Sequence, residues 1–153
     1  MFFSRKRSKR RSKSRRRRNQ TGGEISVFFQ GKEAKGNVKP RNQTLLPPTV
    51  SWTTVPENLY TLLIWDPDAP SPSYIHLLAI NLQSPNLSTG QTLLSYEPPT
   101  PPSGVHRYYT TVYQQKEHIN LPVPNERANF DVDEFVTEYS LTKIGEKMIR
   151  VRA

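Results

Sequence analysis

The stretch Leu59-Tyr60-Thr61-Leu62-Leu63-Ile64-Trp65 runs directly into Asp66-Pro67-Asp68-Ala69-Pro70. The near-continuous apolar run over residues 62–65 is the pattern of a central strand covered on both faces, and the prolines end it abruptly. A second such run, Leu77-Leu78-Ala79-Ile80, predicts a second central strand. Proline biases the residue before it toward extended backbone, so Asp66 and Asp68 are carried by a stiff turn. Gly104-Val105-His106-Arg107-Tyr108 opens another predicted strand, with an imidazole and a phenol at its start. Acidic, imidazole and phenolic groups at the rim of buried strands are costly to desolvate unless they bond one another or a ligand. Together they predict a small anion pocket. The ordinary alternative for the aspartates is a strand-ending turn in which each bonds its own backbone.

Residues 25–29, 49–52, 59–65, 74–82, 107–115 and 147–152 read as strands, separated by Pro, Gly and Asn clusters. One helix is predicted: Asp131 can cap it, Glu134 follows three residues later, and Val132, Phe135, Val136 and Tyr139 form one apolar face. The chain is therefore expected to be mainly β, an antiparallel Greek-key sandwich with one or two short helices and no internal repeat.

With 153 residues and no cysteine, the chain fits one domain whose core needs no disulfide or Cys-based metal site. No run approaches the roughly 18 apolar residues of a membrane helix. The first residues carry no apolar leader, and Met1-Phe2 does not offer the glycine that myristoylation needs. An intracellular, cytoplasmic protein is expected, neither secreted nor transmembrane. On that reading the Asn-x-Ser/Thr matches at Asn19, Asn42 and Asn86 are incidental.

The net charge of +9 is not spread over the chain. Arg5, Lys6, Arg7, Lys9, Arg10, Arg11, Lys13, Arg15, Arg16, Arg17 and Arg18 fall in a segment without a single acid, leaving 11 basic and 13 acidic residues in the remainder. Residues 1–20 are expected to be a disordered Arg/Lys/Ser-rich arm, joined through Thr21-Gly22-Gly23 to a folded domain over 21–153. Cations without interleaved aromatics favour phosphate backbones over bases, so the arm is a candidate for sequence-blind nucleic-acid binding, nuclear targeting or contact with anionic membrane. Phosphorylation of Ser4, Ser8, Ser12 and Ser14 would add about −1.5 to −2 each and remove more than half of its charge.

The order and spacing of three separated motifs carry a resemblance. The run from Leu59 through Pro70, then Tyr74-Ile75-His76 opening a strand that ends at Asn81, then Pro101-Pro102-Ser103-Gly104-Val105-His106-Arg107-Tyr108 resemble the phosphatidylethanolamine-binding protein family from about Glu24 to near the C-terminus. The resemblance implies a larger antiparallel sheet packed on a smaller one. It also implies a monomeric, non-enzymatic binding module without cofactor or metal, whose pocket takes a phosphorylated head group and whose surface can regulate a partner such as a kinase or protease. Carried over, it assigns Asp66, Asp68, His76, His106 and Tyr108 to the anion pocket, with Pro70, Tyr74, Pro101 and Pro102 as its wall. His76 and His106 would donate to phosphoryl oxygens, and Asp66 would face the polar or cationic end of the ligand. Asp68 and Arg107 are better given a supporting role, since a buried arginine beside an acid is more often a structural ion pair than a ligand clamp. A cis peptide at Ala69-Pro70 is implied too.

Three departures bear on selectivity. Glu97-Pro98-Pro99-Thr100 stands where the family is usually glycine-containing, the loop between Pro70 and His76 is short, and the sequence ends at Ala153 without the C-terminal helix that lids the pocket in animal members. A more open pocket is expected.

Enzyme classes find little support. The sequence has no Gly-x-Ser-x-Gly elbow, His-Glu-x-x-His, phosphate-cradling loop or cysteine nucleophile. A metal site of His76, His106 and one aspartate has no close-spaced ligand pair to anchor it. His118 is expected in an exposed loop. The reading opposed to the pocket is a polyanion-binding structural protein acting through its arm, with a vestigial cavity.

Overall fold

The computed structural model describes residues 25–71 and 73–153, so the basic arm expected over residues 1–20 and the hinge at Thr21-Gly22-Gly23 lie outside the described residues. Nine strands and one α-helix are described: β1 (Ser26–Phe29), β2 (Lys32–Glu33), β3 (Lys39–Pro40), β4 (Thr49–Ser51), β5 (Leu59–Asp66), β6 (Tyr74–Leu82), β7 (Gln91–Leu94), β8 (Val105–Gln115), α1 (Val132–Glu138) and β9 (Thr142–Arg152). They form a three-stranded sheet in the order β2-β1-β4 and a six-stranded sheet in the order β3-β9-β8-β5-β6-β7. Within the larger sheet, β5, β6 and β7 follow one another and β8 returns beside β5, which is the Greek-key connection. All pairings are antiparallel except β3 with β9, which run parallel.

The two apolar runs owe their continuity to cover on both faces. Tyr60, Leu62 and Ile64 of β5, with Leu77 and Ala79 of β6, pack in one cluster with Val27, Phe29 and Val50 of the small sheet and Trp52 just after it. Leu63 of β5, with Leu78 and Ile80 of β6, faces Val132 and Phe135 of α1 on the other side. The helix starts as predicted: Asp131 Oδ1 accepts the Glu134 amide at 2.9 Å. Of its apolar face, Val132 and Phe135 are buried, while Val136 and Tyr139 are half-buried at the edge of the cluster.

Two irregularities interrupt the pairing of β6 with β5. Ile64 pairs with Leu77 but Trp65 with Ile75, so His76 is the extra residue of a β-bulge. The bulge puts His76 and Leu77 on the same side of the sheet in succession. A second shift between Tyr60 and Leu62 leaves Asn81 at φ 57°, a left-handed conformation asparagine tolerates. Gly90 packs so tightly under β6 that a Cβ there would collide with the carbonyl oxygens of Ile80 and Asn81.

Several sequence expectations are adjusted. β9 begins at Thr142 instead of residue 147, and β2, β3 and β7 are additional. No cis peptide occurs among the described residues, so Ala69–Pro70 is trans. The reversal after β5 is instead closed by Asp66 Oδ1 accepting the Asp68 amide at 2.7 Å.

Candidate functional site

The ends of β5, β6 and β8 bring three motifs together around a cavity of about 280 Å³. Asp66, Pro70, Tyr74, His76, Pro101, Pro102, His106 and Tyr108 line it, joined by Ala69, Ser71, Glu97 and Thr100. Each comes from a strand near its end or from the loop beside it. Gly104 at φ 64° makes the turn that starts β8, and alternation along the strand then points His106 and Tyr108 to the cavity side.

Both imidazoles are oriented through Nδ1. His106 Nδ1 donates to Asp66 Oδ2 at 2.8 Å, and the Asp66 side chain is only 5% exposed. His76 Nδ1 lies 2.6 Å from the main-chain oxygen of Glu97, and since a carbonyl oxygen can only accept, His76 Nδ1 carries the proton. Each ring is thereby left with Nε2 for a ligand. Burial pushes the His76 pKa down, against the opposing pull of the Glu97 carbonyl and the Asp66 charge, so its free nitrogen is a lone pair at neutral pH. That differs from the expectation that His76 donates to a phosphoryl oxygen. In the neutral ring it accepts.

The aromatic groups complete the wall. Tyr108 stands edge-on to His76 at 5.1 Å and is stacked 6.4 Å from His106. Burial, followed by the nearby Asp66 charge, raises the Tyr108 pKa, so the phenol stays a donor. Tyr74, whose pKa is raised by burial and then by Glu97, donates to Glu97 Oε1 at 2.9 Å.

Arg127 holds this wall and went unnoticed in the sequence. Its Nε is 3.0 Å from Glu97 Oε2, its Nη2 donates to Ser95 O at 2.8 Å, and its Nη1 reaches the carbonyls of Ile75 and His76. A lone arginine in a loop 19 residues beyond Tyr108 offers no pattern to read. Glu97, in the sequence a departure from the family pattern, also lines the cavity.

Asp68, grouped with the pocket from sequence, does not line it. Its two oxygens take Nη2, Nε and the main-chain amide of Arg107 at 2.8–3.0 Å on the far side of β8. The guanidinium beside it holds the Asp68 carboxyl down at about 2. Arg107 is Asp68's partner as expected, but half exposed instead of buried, because odd-numbered residues of β8 face away from the inter-sheet core. His118 is exposed in a loop. Among the described residues, no group of three or more His, Cys, Asp or Glu is placed to hold a metal ion.

The fold is thus a two-sheet sandwich with two imidazoles at one end, one oriented by a carboxylate and the other by a main-chain carbonyl. The sequence model of the phosphatidylethanolamine-binding protein family matches residues 17–148, and the chain belongs to that family. It is 36% identical over 121 residues to the "26 kDa secreted antigen" of Toxocara canis, covering 69% of this chain and 46% of that protein. The chain spans about half the length of the curated relatives it matches. Its fold resembles that of carboxypeptidase Y inhibitor, solved in complex with its cognate proteinase, with a TM-score of 0.75 at 21% identity over 86% of this chain and 84% of that one. It also resembles a phosphatidylethanolamine-binding protein from Plasmodium vivax, with a TM-score of 0.72 at 22% identity over 84% of each chain. No helix among the described residues is long and apolar enough to cross a membrane.

Proposed function

We propose that the cavity binds a small phosphorylated head group carrying a cationic end, and that the protein is a binding module without catalytic activity. The observation that carries this reading is the pair of rings fixed through Nδ1, by Asp66 and by the Glu97 carbonyl, each leaving one nitrogen free. A phosphate monoester brings three acceptor oxygens and a proton whose pKa is near 6. The Tyr108 phenol supplies a donor to one oxygen, and His106, whose Nδ1 proton is held by Asp66, meets a second through Nε2 and donates there only as the imidazolium. The remaining proton is shared between a phosphoryl oxygen and His76 Nε2. Glu97, which lines the cavity with its two carboxylate oxygens bonded to Tyr74 and Arg127, faces the ammonium end with its remaining lone pairs. A bare dianion meets two lining carboxylates, Asp66 and Glu97, and binds less well.

Isothermal titration with phosphorylethanolamine tests this: saturable binding by the wild type that falls at least tenfold in His106→Ala and Asp66→Ala, with unchanged circular dichroism, supports it. Equal affinity in both variants overturns it.

A protein partner at the cavity rim, of kinase or protease type, is part of this proposal. It is supported by a fold shared with an inhibitor solved on its proteinase. The absence of cysteine means that folding needs no oxidising compartment, which supports an intracellular reading. Recovery of the protein from medium while a cytosolic marker stays inside the cells would overturn that reading.

A second function is favoured by the eleven Lys and Arg among the first 18 residues: polyanion binding by the arm, apart from the folded domain over 21–153. Deletion of residues 1–20 should abolish it and spare head-group binding.

A further inference from the structure

The outer face of the six-stranded sheet is covered by α1 over β5 and β6, and it is open where β8 meets β9. Val105, Arg107 and Tyr109 of β8 lie opposite Arg152, Arg150 and Met148 of β9, all on that outer face. Val105 is 48% exposed and Met148 39%. Arg107 and Arg150 are direct cross-strand partners, a like-charge pairing that Asp68 offsets at Arg107 but that no acid offsets at Arg150 among the described residues. Of the acids near this stretch, Asp68 is bonded to Arg107 and Glu146 to Lys143 and Thr111, while Asp131 and Asp133 lie on the far side of Trp65 from the arginines, around a separate cavity.

The charge extends sideways. Arg150 donates to Gly36 O at 2.7 Å, which ties it to a segment over residues 34–43 that holds Lys35, Lys39 and Arg41 and no acid. Six cations therefore gather at one edge of a domain whose remaining charge is mostly negative. Beside them Tyr109 stacks on Trp65 at 5.4 Å and 28°, with the Arg107 guanidinium carbon 5.9 Å from the Tyr109 centroid.

We propose that this open β8–β9 face docks single-stranded nucleic acid. Arginines two residues apart on one strand are separated by about 7 Å, a spacing suited to successive phosphates of an extended chain. The neighbouring Tyr109–Trp65 stack and the guanidinium plane offer surfaces on which bases can lie. An acidic protein segment would use the arginines but not the rings. Two exposed apolar side chains make a poor membrane anchor. The chain's own arm is repelled by its eleven cations. The inference is independent of the head-group cavity, which lies on the other face of the sheet, and gives the polyanion reading a folded contact separate from the arm.

The test uses the full chain and a fluorescein-labelled oligouridylate, followed by anisotropy over a salt series, with crosslinked peptides mapped after ultraviolet irradiation. Arg150→Gln with Arg152→Gln should lower the magnitude of the log–log salt slope by about 1.4, because two phosphates are no longer neutralised. Tyr109→Leu should weaken single-strand binding about fivefold or more and leave a duplex of equal length unaffected. Crosslinks should fall in residues 105–109 and 148–152. Crosslinks confined to residues 1–20 with an unchanged slope would overturn the proposal and assign all binding to the arm. Equal displacement by polyglutamate or phosphatidylserine vesicles, with no effect of Tyr109→Leu, would overturn it in favour of a general anion patch. Should Tyr109→Leu fail to fold by circular dichroism, the arginine pair and the crosslinks decide.

Discussion

His76 and Glu97 bond each other twice: the His76 ring donates through Nδ1 to the Glu97 carbonyl at 2.6 Å, and the Glu97 amide donates to the His76 carbonyl at 2.9 Å. The bulge at His76 frees it from β5 on one side and lets the proline-rich loop pair with it on the other. The loop's stiffness and the ring's orientation are therefore one feature.

Burial lowers the His76 pKa below the ordinary 6.5, so the neutral ring is the form that suits the fold. A base with a lowered folded pKa contributes stability that is present above its unfolded pKa and lost as pH falls through the folded value. Urea unfolding should show wild-type stability declining from about pH 6.5 downward, and His76→Gln should flatten that decline. An identical decline in the variant would remove His76 as its source.

Glu97 sets the preference for a cationic end. Glu97→Gln should weaken phosphorylethanolamine binding by about 1 kcal/mol, or roughly fivefold, while inorganic phosphate binds as well or better. Titration calorimetry with both ligands separates the two effects, and equal losses would mean that Glu97 acts through the wall alone.

Gln115 is the centre of a buried polar network. Its Oε1 accepts from Thr61 Oγ1 and the Asn81 amide at 2.8 Å each, and its Nε2 donates to Asn81 Oδ1 and Glu117 O. Asn81 in turn bonds both main-chain groups of Ile119. Gln115→Leu strands several of these groups at once and should cost about 2–4 kcal/mol by chemical denaturation. A loss below about 1 kcal/mol would show that water replaces the amide.

Asp68 should govern part of the acid limb. With its carboxyl held at about 2 by Arg107, it contributes stability present above the ordinary 3.8 and lost as pH falls toward 2. Asp68→Asn should remove that portion of the acid unfolding curve. The effect should shrink in high salt because the pair is near the surface. Salt-independent loss would point to the turn instead of the charge.

Much of the fold was legible because the strands that matter are buried on both faces. The apolar runs of β5 and β6 mark them, and β6 has the limits its sequence suggests, Tyr74–Leu82. The first half of β9 was missed because Thr142, Lys143, Gly145 and Glu146 hide it behind polar residues and a glycine. β7 was missed because half of its four residues are polar and exposed on an outer strand. At the site, groups at strand ends could be read, since prolines and histidines there are conspicuous. Which nitrogen of His76 is free, and the part played by Arg127, depend on a bulge and on a loop folded back across the sheet, and neither leaves a periodic trace. Asp66 and Asp68, two residues apart, bond in different directions: Asp66 to His106 at the cavity, and Asp68 to Arg107 in the supporting role the sequence also suggests for that pair.

The most direct test of head-group binding follows the ring nitrogens of the three histidines by NMR as phosphorylethanolamine is added to the full chain. Nε2 of His76 and His106 should shift together and saturate at one affinity, both Nδ1 signals should keep their hydrogen-bonded positions, and the exposed His118 should stay still. Silent Nε2 signals in a folded protein, or His118 moving with the same profile, would contradict it.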